Sequence, residues 1–229
     1  MKIMIVGASG GIGNLLTKHF DSKENELILT YNKSRNKIYP TKNAKSSIIK
    51  SDFTKINEVE NAYLDIETLN VLINAIGCVA NNLIYRMDEQ EWDTVINTNL
   101  KSIFLSCRYG IPKMVDDGHI INFSSVLGKI GMVGATNYAA SKGGVESFTK
   151  SLALECLHNR KIYVNAVALG YFKIGMGLDL DEKIVDIIKK RIPLKDFGEP
   201  DEIIKVVDYI LSSKYLVGQV IEVNGGLLL

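Results

Sequence analysis

Seven short apolar runs rich in Ile, Val and Leu recur along this 229-residue chain, separated by segments of helical period. The runs are Lys2–Val6, Glu26–Tyr31, Ser47–Lys50, Asn70–Ala75, His119–Ser124, Ile162–Val167 and Gln219–Val223. They do not alternate apolar with polar, as expected of strands covered on both faces. Helices are predicted at Gly11–Phe20, Glu58–Leu64, Asp88–Asn97, Leu100–Val115, Tyr138–His158, Asp181–Lys190 and Asp201–Ser212. Parallel strands need crossovers, so the alternation predicts an α/β fold. The expected form is one doubly wound domain over residues 1–229, a seven-stranded parallel sheet with helices on both faces. Asn32–Lys50 carries Pro40 and no apolar period, so the helix between the second and third strands is expected to be short or absent.

Composition narrows the partners. With 46% hydrophobic residues the chain can bury a large core. Its 27 basic and 26 acidic residues leave a net charge of +1, which argues against a nucleic-acid footprint. Cys78, Cys107 and Cys156 are odd in number and never paired as Cys-x-x-Cys, which reads as reduced thiols in a cytoplasmic protein. His19, His119 and His158 lack metal-ligand spacing, so no metal is expected. The apolar start is broken at once by glycines, and no run is long enough to span a bilayer; neither a signal peptide nor a membrane partner is expected.

Val6-Gly7-Ala8-Ser9-Gly10-Gly11-Ile12-Gly13 follows the first strand and opens the first helix. Gly7 suits a tight turn, Gly11 a backbone that approaches a pyrophosphate, and Gly13 close helix–sheet packing. A helix N-terminus there offers unpaired N–H groups to phosphate. Such a turn can exist for steric reasons alone, but its place at the first strand-to-helix junction points to a dinucleotide.

Further on, Ser125 ends an apolar run, and Tyr138 and Lys142 stand four apart in Tyr138-Ala139-Ala140-Ser141-Lys142, one face of a helix. A surface pair and a strand-terminating serine are the plainer explanation of these three alone. An ammonium beside a phenol is also a way to bring tyrosine, with its pKa of about 10, into acid–base use near neutral pH. Ala139, Ala140, Gly143 and Gly144 leave little bulk around the pair, so a ligand or another helix could come close.

With Asn74-Ala75-Ile76-Gly77, Asn97-Thr98-Asn99-Leu100, Val164-Asn165-Ala166-Val167-Ala168-Leu169-Gly170 and Gly218-Gln219-Val220-Ile221-Glu222-Val223-Asn224-Gly225-Gly226, these motifs resemble the short-chain dehydrogenase/reductase family over essentially the whole chain. Asn82–Met87, Ile192-Pro193-Leu194 and Gly198–Ile203 look most like its 3-oxoacyl-(acyl-carrier-protein) reductases. The resemblance implies a Rossmann domain and hydride transfer to a carbonyl, with Tyr138 as proton donor and Ser125 holding the carbonyl oxygen. Lys142 would bind the nicotinamide ribose, and Asn99 would hold a water that links Lys142 to solvent. Gly7, Ser9, Gly10, Gly11, Ile12, Gly13, Asp52, Phe53, Asn74, Ala75, Gly77, Gly170 and Phe172 would line the cofactor site.

The second strand ends in Thr30-Tyr31-Asn32-Lys33-Ser34-Arg35 with no acid to accept from a ribose 2′-hydroxyl. Asn32, Lys33, Ser34 and Arg35 suit a 2′-phosphate, so NADP(H) is favoured over NAD(H), although Gly10 stands where NADP-dependent relatives often carry a basic residue. Leu169 replaces the family's usual proline and Ile174 a threonine that helps anchor the nicotinamide amide. Tyr171–Lys190, extending to about residue 198, is expected to be a substrate lid. The long helices and the terminal Leu227-Leu228-Leu229 predict a homo-oligomer, dimer or tetramer. The expected activity is NADPH-dependent reduction of a small molecule or 3-oxoacyl thioester. An alcohol or sugar dehydrogenase, or a non-catalytic dinucleotide sensor, are the alternatives.

Overall fold

The computed structural model describes residues 1–178 and 181–229. Asp179 and Leu180, within the expected lid, lie outside the described residues. The strands are β1 Lys2–Val6, β2 Glu26–Tyr31, β3 Lys45–Lys50, β4 Leu69–Asn74, β5 Met114–Ser125, β6 Ile162–Leu169 and β7 Val220–Val223. They form one parallel sheet in the order β3-β2-β1-β4-β5-β6-β7. The helices are α1 Gly11–His19, α2 Ile56–Tyr63, α3 Glu89–Ile96, α4 Ser102–Gly110, α5 Leu127–Ile130, α6 Thr136–Asn159, α7 Glu182–Arg191 and α8 Pro200–Ser212.

Successive side chains of a strand point to opposite faces. Met4, with Leu72 and Ile120, joins the core that Val145, Leu152 and Ala153 of α6 cover. Ile3 and Ile5 join the core that Leu16 of α1 and Val207 and Ile210 of α8 cover. Both faces of the central strands are dry, which is why their runs showed no alternation, whereas the edge strand β3 is largely exposed. Each such side chain contributes roughly 1.5–3 kcal/mol. No helix of the described residues is long and apolar enough to cross a membrane.

Between β2 and β3 there is a single 3₁₀ turn, Arg35–Lys37, in place of a crossover helix. Side chains of α1 and its C-terminal flank pin this connection instead. Asn14 accepts from Tyr39 N at 2.5 Å, and the Asp21 carboxylate accepts from Lys42, Asn43 and Ala44 N at 2.7–2.9 Å.

Two helix expectations need correcting. The segment Leu100–Val115 is not one helix: α4 stops at Gly110, a 3₁₀ turn carries Pro112, and Met114 and Val115 belong to β5. Pro112 has no N–H to continue the ladder. The short α5 was not anticipated, because four residues carry too little period to recognise. Strand ends moved by one to five residues; Ala75 lies just past β4 and Gln219 just before β7.

The chain leaves β1 and β4, neighbours in the sheet, in opposite directions, which opens a crevice at their C-terminal ends. Gly7 enters it with φ +88°, and a Cβ on Gly13 would lie 2.2 Å from Gly7 O. Only a bare Cα lets α1 start this close to the strand.

Candidate active site

Two cavities meet at this crevice. One, of about 1090 Å³, runs from Asn32, Lys33, Ser34, Asp52 and Phe53 past Gly7, Ser9 and Gly10. The other, of about 290 Å³, is lined by Gly10, Gly11, Ile12, Ser125, Tyr138, Lys142, Gly170 and Phe172. Gly10, Ala75, Ile76 and Gly77 line both, so they form one two-lobed trough. Its form fits a dinucleotide, with a wide lobe beyond β2 and a narrow lobe that contains Ser125 and Tyr138. Ile174 borders the narrow lobe.

Several expected contacts fall elsewhere. Arg35 is exposed at the start of the 3₁₀ turn and lines neither lobe. Gly13 serves the packing described above. Asn74 is fully buried and faces the core, donating to Asn122 Oδ1 at 2.8 Å and accepting from Ser106 Oγ at 2.6 Å. Gly11 does border the narrow lobe, but its Cα also faces the lid: a Cβ there would lie 2.6 Å from Gly175 Cα. Asn32 bonds Asp52, whose carboxyl lies below its ordinary value. Burial acts to raise it and is outweighed by hydrogen bonds from Thr54 together with Lys55 and Asn32.

The carbonyl-facing end is built on three elements. Ser125 terminates β5, and Tyr138 and Lys142 stand one turn apart on α6. Ser125 Oγ accepts from Leu127 N at 3.3 Å, and Ser125 and Tyr138 both line the narrow lobe. Lys142 Nζ lies 5.7 Å from the Tyr138 ring centroid and donates to Phe123 O at 2.9 Å. Asn99 sits in one π-helical turn, Asn97–Lys101, between α3 and α4; such turns mark many functional sites. Its amide accepts from Cys78 N at 2.8 Å and donates to Cys78 O at 3.0 Å and Ser141 Oγ at 3.1 Å. A methyl on Gly77 would stand 3.7 Å from Lys142 Nζ and 3.8 Å from Asn99 Oδ1, so these two polar groups flank Gly77.

Burial dominates the electrostatics. It pushes the Tyr138 phenol above its ordinary value, with the Ser125 side chain acting the other way and Tyr171 and Cys78 adding to the rise. Lys142 points over the ring and itself pays a desolvation cost.

Lys142 is 3% exposed, and burial lowers its ammonium from 10.5 to about 8, with Cys78 acting weakly the other way. Between those values the folded chain holds the amine neutral while the unfolded chain holds it charged. The unfolded state then binds more protons, so stability rises with pH across that window, and the full penalty is present below about pH 8. Lys142→Met is thus expected to raise unfolding stability at pH 7 by on the order of 2–3 kcal/mol. The gain should shrink toward pH 10. Urea titrations at the two pH values measure both, and a variant less stable than wild type at pH 7 would refute the assignment of a desolvated charge.

Small residues beside the pair do bring another helix close. A Cβ on Gly128 would meet Gly143 N at 2.8 Å, so α5 packs directly on α6. Other residues were missed from sequence. Val79, Leu127, Met132 and Ala135 wall the narrow lobe, and their one signal was nearness in sequence to Gly77 and Ser125; Tyr171 and Met176, which line it too, fall within the segment expected to cover the substrate. Glu146 is 5% exposed on α6, accepts from Ser124 Oγ at 3.0 Å, and is held above its ordinary value by burial.

A family model described as enoyl-(acyl carrier protein) reductase matches residues 7–228. The chain is 38% identical over 240 residues to a 3-oxoacyl-(acyl-carrier-protein) reductase of Thermotoga maritima, covering 99% of this chain and 97% of that one. It is 36% identical over 238 residues to the Staphylococcus epidermidis reductase of the same name, covering 98% and 97%. A dehydrogenase/reductase structure from Sinorhizobium meliloti superposes with a TM-score of 0.92 at 23% identity, over 100% of this chain and 95% of that one, a likeness of fold. On the glycine turn, the two-lobed trough and these whole-length matches, the chain belongs to the short-chain dehydrogenase/reductase family and is an oxidoreductase that uses a nicotinamide dinucleotide.

Proposed function

We propose that the chain is an NADPH-dependent reductase of a 3-oxoacyl thioester. The observation that carries this reading is the Ser125–Tyr138 hydroxyl pair at the head of a largely apolar lobe, with Lys142 beneath it. When bound, the nicotinamide dinucleotide supplies the hydride. Two hydroxyls that line one lobe can both turn to one substrate oxygen. Ser125 orients that oxygen, and Tyr138 passes its proton to it as negative charge develops. Burial that keeps the phenol protonated suits a donor in the direction of reduction. Lys142 supplies positive charge next to the phenol once the proton has gone. Asn99 fixes the Gly77–Cys78 backbone against which the ribose would lie.

The matched family model names an enoyl substrate and the curated relatives a 3-oxoacyl one. The hydroxyl pair favours the second, because it offers a proton to an oxygen. Lys33 and Ser34 line the wide lobe and favour a 2′-phosphate, and the end of β2, Thr30-Tyr31-Asn32-Lys33-Ser34-Arg35, carries no acid, which fits the same choice. The reading also takes the protein to be cytoplasmic and to assemble with copies of itself. Exposed Phe104 on α4 and Leu154 and Leu157 on α6 would supply apolar surface for the assembly. Oxidation of NADPH and of NADH is to be followed with 3-oxobutanoyl thioesters, small ketones, quinones and keto-sugars, on the species whose mass light scattering measures. The expected result is thioester-dependent oxidation with NADPH preferred by at least roughly tenfold in kcat/KM. A preference for NADH, inertness toward thioesters or a one-chain mass would each remove that part of the reading.

A further inference from the structure

The narrow lobe ends at Leu127, Met132 and Tyr171, and the same three residues wall a second recess on their far side. That recess is completed by Ile130, Gly131, Ile188, Arg191 and Leu227. Tyr171 is held in place as a partition: its ring stacks on Phe197 with centroids 5.5 Å apart, and its hydroxyl meets Met132 Sδ at 3.6 Å. Phe197 in turn packs with Ile188 and Ile192 of the lid region. The recess has a volume of about 10 Å³, at the lower limit for a single water. Its walls are apolar apart from Arg191 and the tyrosine hydroxyl. Polar ligands would find almost nothing there, whereas an alkyl chain would find continuous hydrocarbon.

We infer that the recess behind Tyr171 and Met132 is an acyl-tail subsite closed by these two side chains, and that the Met132–Tyr171 contact sets the length of chain the enzyme accepts. This rests on the reductase reading above. The open lobe, about 290 Å³, is at the small end of ligand sites, which run from roughly 300 to 1,000 Å³. Part of it lies against Gly10–Ile12 and Gly175, on the dinucleotide side. Little is left for the tail of a substrate whose carbonyl sits at Tyr138. A short chain fits in front of the partition, and a longer one must move Met132 or stay in water. Met132 is the movable half, because an unbranched thioether has several rotamers, whereas Tyr171 is clamped by Phe197.

The test is a chain-length series. Wild type, Met132→Ala, Met132→Val and Met132→Leu are assayed with NADPH on 3-oxoacyl N-acetylcysteamine thioesters of four to twelve carbons and on linear 2-alkanones of matching length. Wild type is expected to favour the shortest members. Each methylene newly buried is worth about fourfold in kcat/KM, so Met132→Ala should shift the ten-carbon to four-carbon ratio upward by roughly ten- to a hundredfold. Met132→Val should shift it less, and Met132→Leu, which keeps the wall, should leave it near wild type. Should Met132→Ala not fold, the milder valine variant reads the same ratio. A wild type that already prefers ten carbons, or truncations that run parallel to it at every length, would overturn the subsite. Turnover of ketones but of no thioester would instead remove the 3-oxoacyl reading, and the length ratio would still be measured on the ketones.

Discussion

Tyr138→Phe is expected to lower kcat/KM by about 10²–10⁴, the usual worth of a positioned general acid. That corresponds to about 3–5 kcal/mol of transition-state stabilisation. The change removes one oxygen from a residue that is 8% exposed and leaves its ring, the α6 backbone and the Lys142 position in place. The melting temperature and the affinity for NADPH should stay close to wild type, read by circular dichroism and fluorescence titration. Ser125→Ala should cost less, because Tyr138 can still reach the substrate oxygen. Full activity in the phenylalanine variant would show that the proton comes from elsewhere, and the proposed mechanism would fail with it.

The second large effect is expected at Gly13. An alanine methyl would lie 2.2 Å from Gly7 O and 2.7 Å from Ala8 Cα, both backbone atoms that no side-chain rotation can move aside. Helix propensity favours alanine over glycine by roughly 1 kcal/mol, but overpacking of this kind typically costs 1–3 kcal/mol and shifts the backbone. The net expectation is a fall of a few degrees in melting temperature, at about 2–4 °C per kcal/mol for a chain of this size. Dinucleotide affinity should fall by at least roughly tenfold, since the N-terminus of α1 is driven off the turn that aims its N–H groups. Gly10→Ala is the control, as its methyl would meet only Gly7 O at 3.3 Å. A Gly13→Ala protein that melts and binds like wild type would mean that the close approach of α1 to β1 is not needed.

Much of the site was legible before any coordinates. Ser125, Tyr138 and Lys142 stood out by residue type and spacing, and Asn99 only through the resemblance to the family. Ser125, Tyr138 and Lys142 line one lobe, and Lys142 and Asn99 both flank Gly77. Asn74 and Arg35 read as cofactor contacts, and neither lines the trough. Strand pleating turns the Asn74 amide toward α4 and the Asn122 side chain, and Arg35 is exposed in the 3₁₀ turn beyond Ser34. Neither placement is encoded in a local motif.

The sequence by itself determined the layered architecture, because the two-sided apolar runs of the central strands can be buried only in a sheet with helices on both faces. It also determined the phosphate-facing turn, because a bare Cα at Gly13 is a local steric requirement. The tertiary structure alone decided the charge states and the shape of the substrate lobe. Burial depends on what surrounds a group, so a lysine lowered to about 8 and a phenol raised rather than lowered follow from desolvation that no spacing reports. The Met132–Tyr171 partition joins residues 39 positions apart, and it exists only once β5 and β6 lie side by side and deliver their following loops to the same end of the sheet.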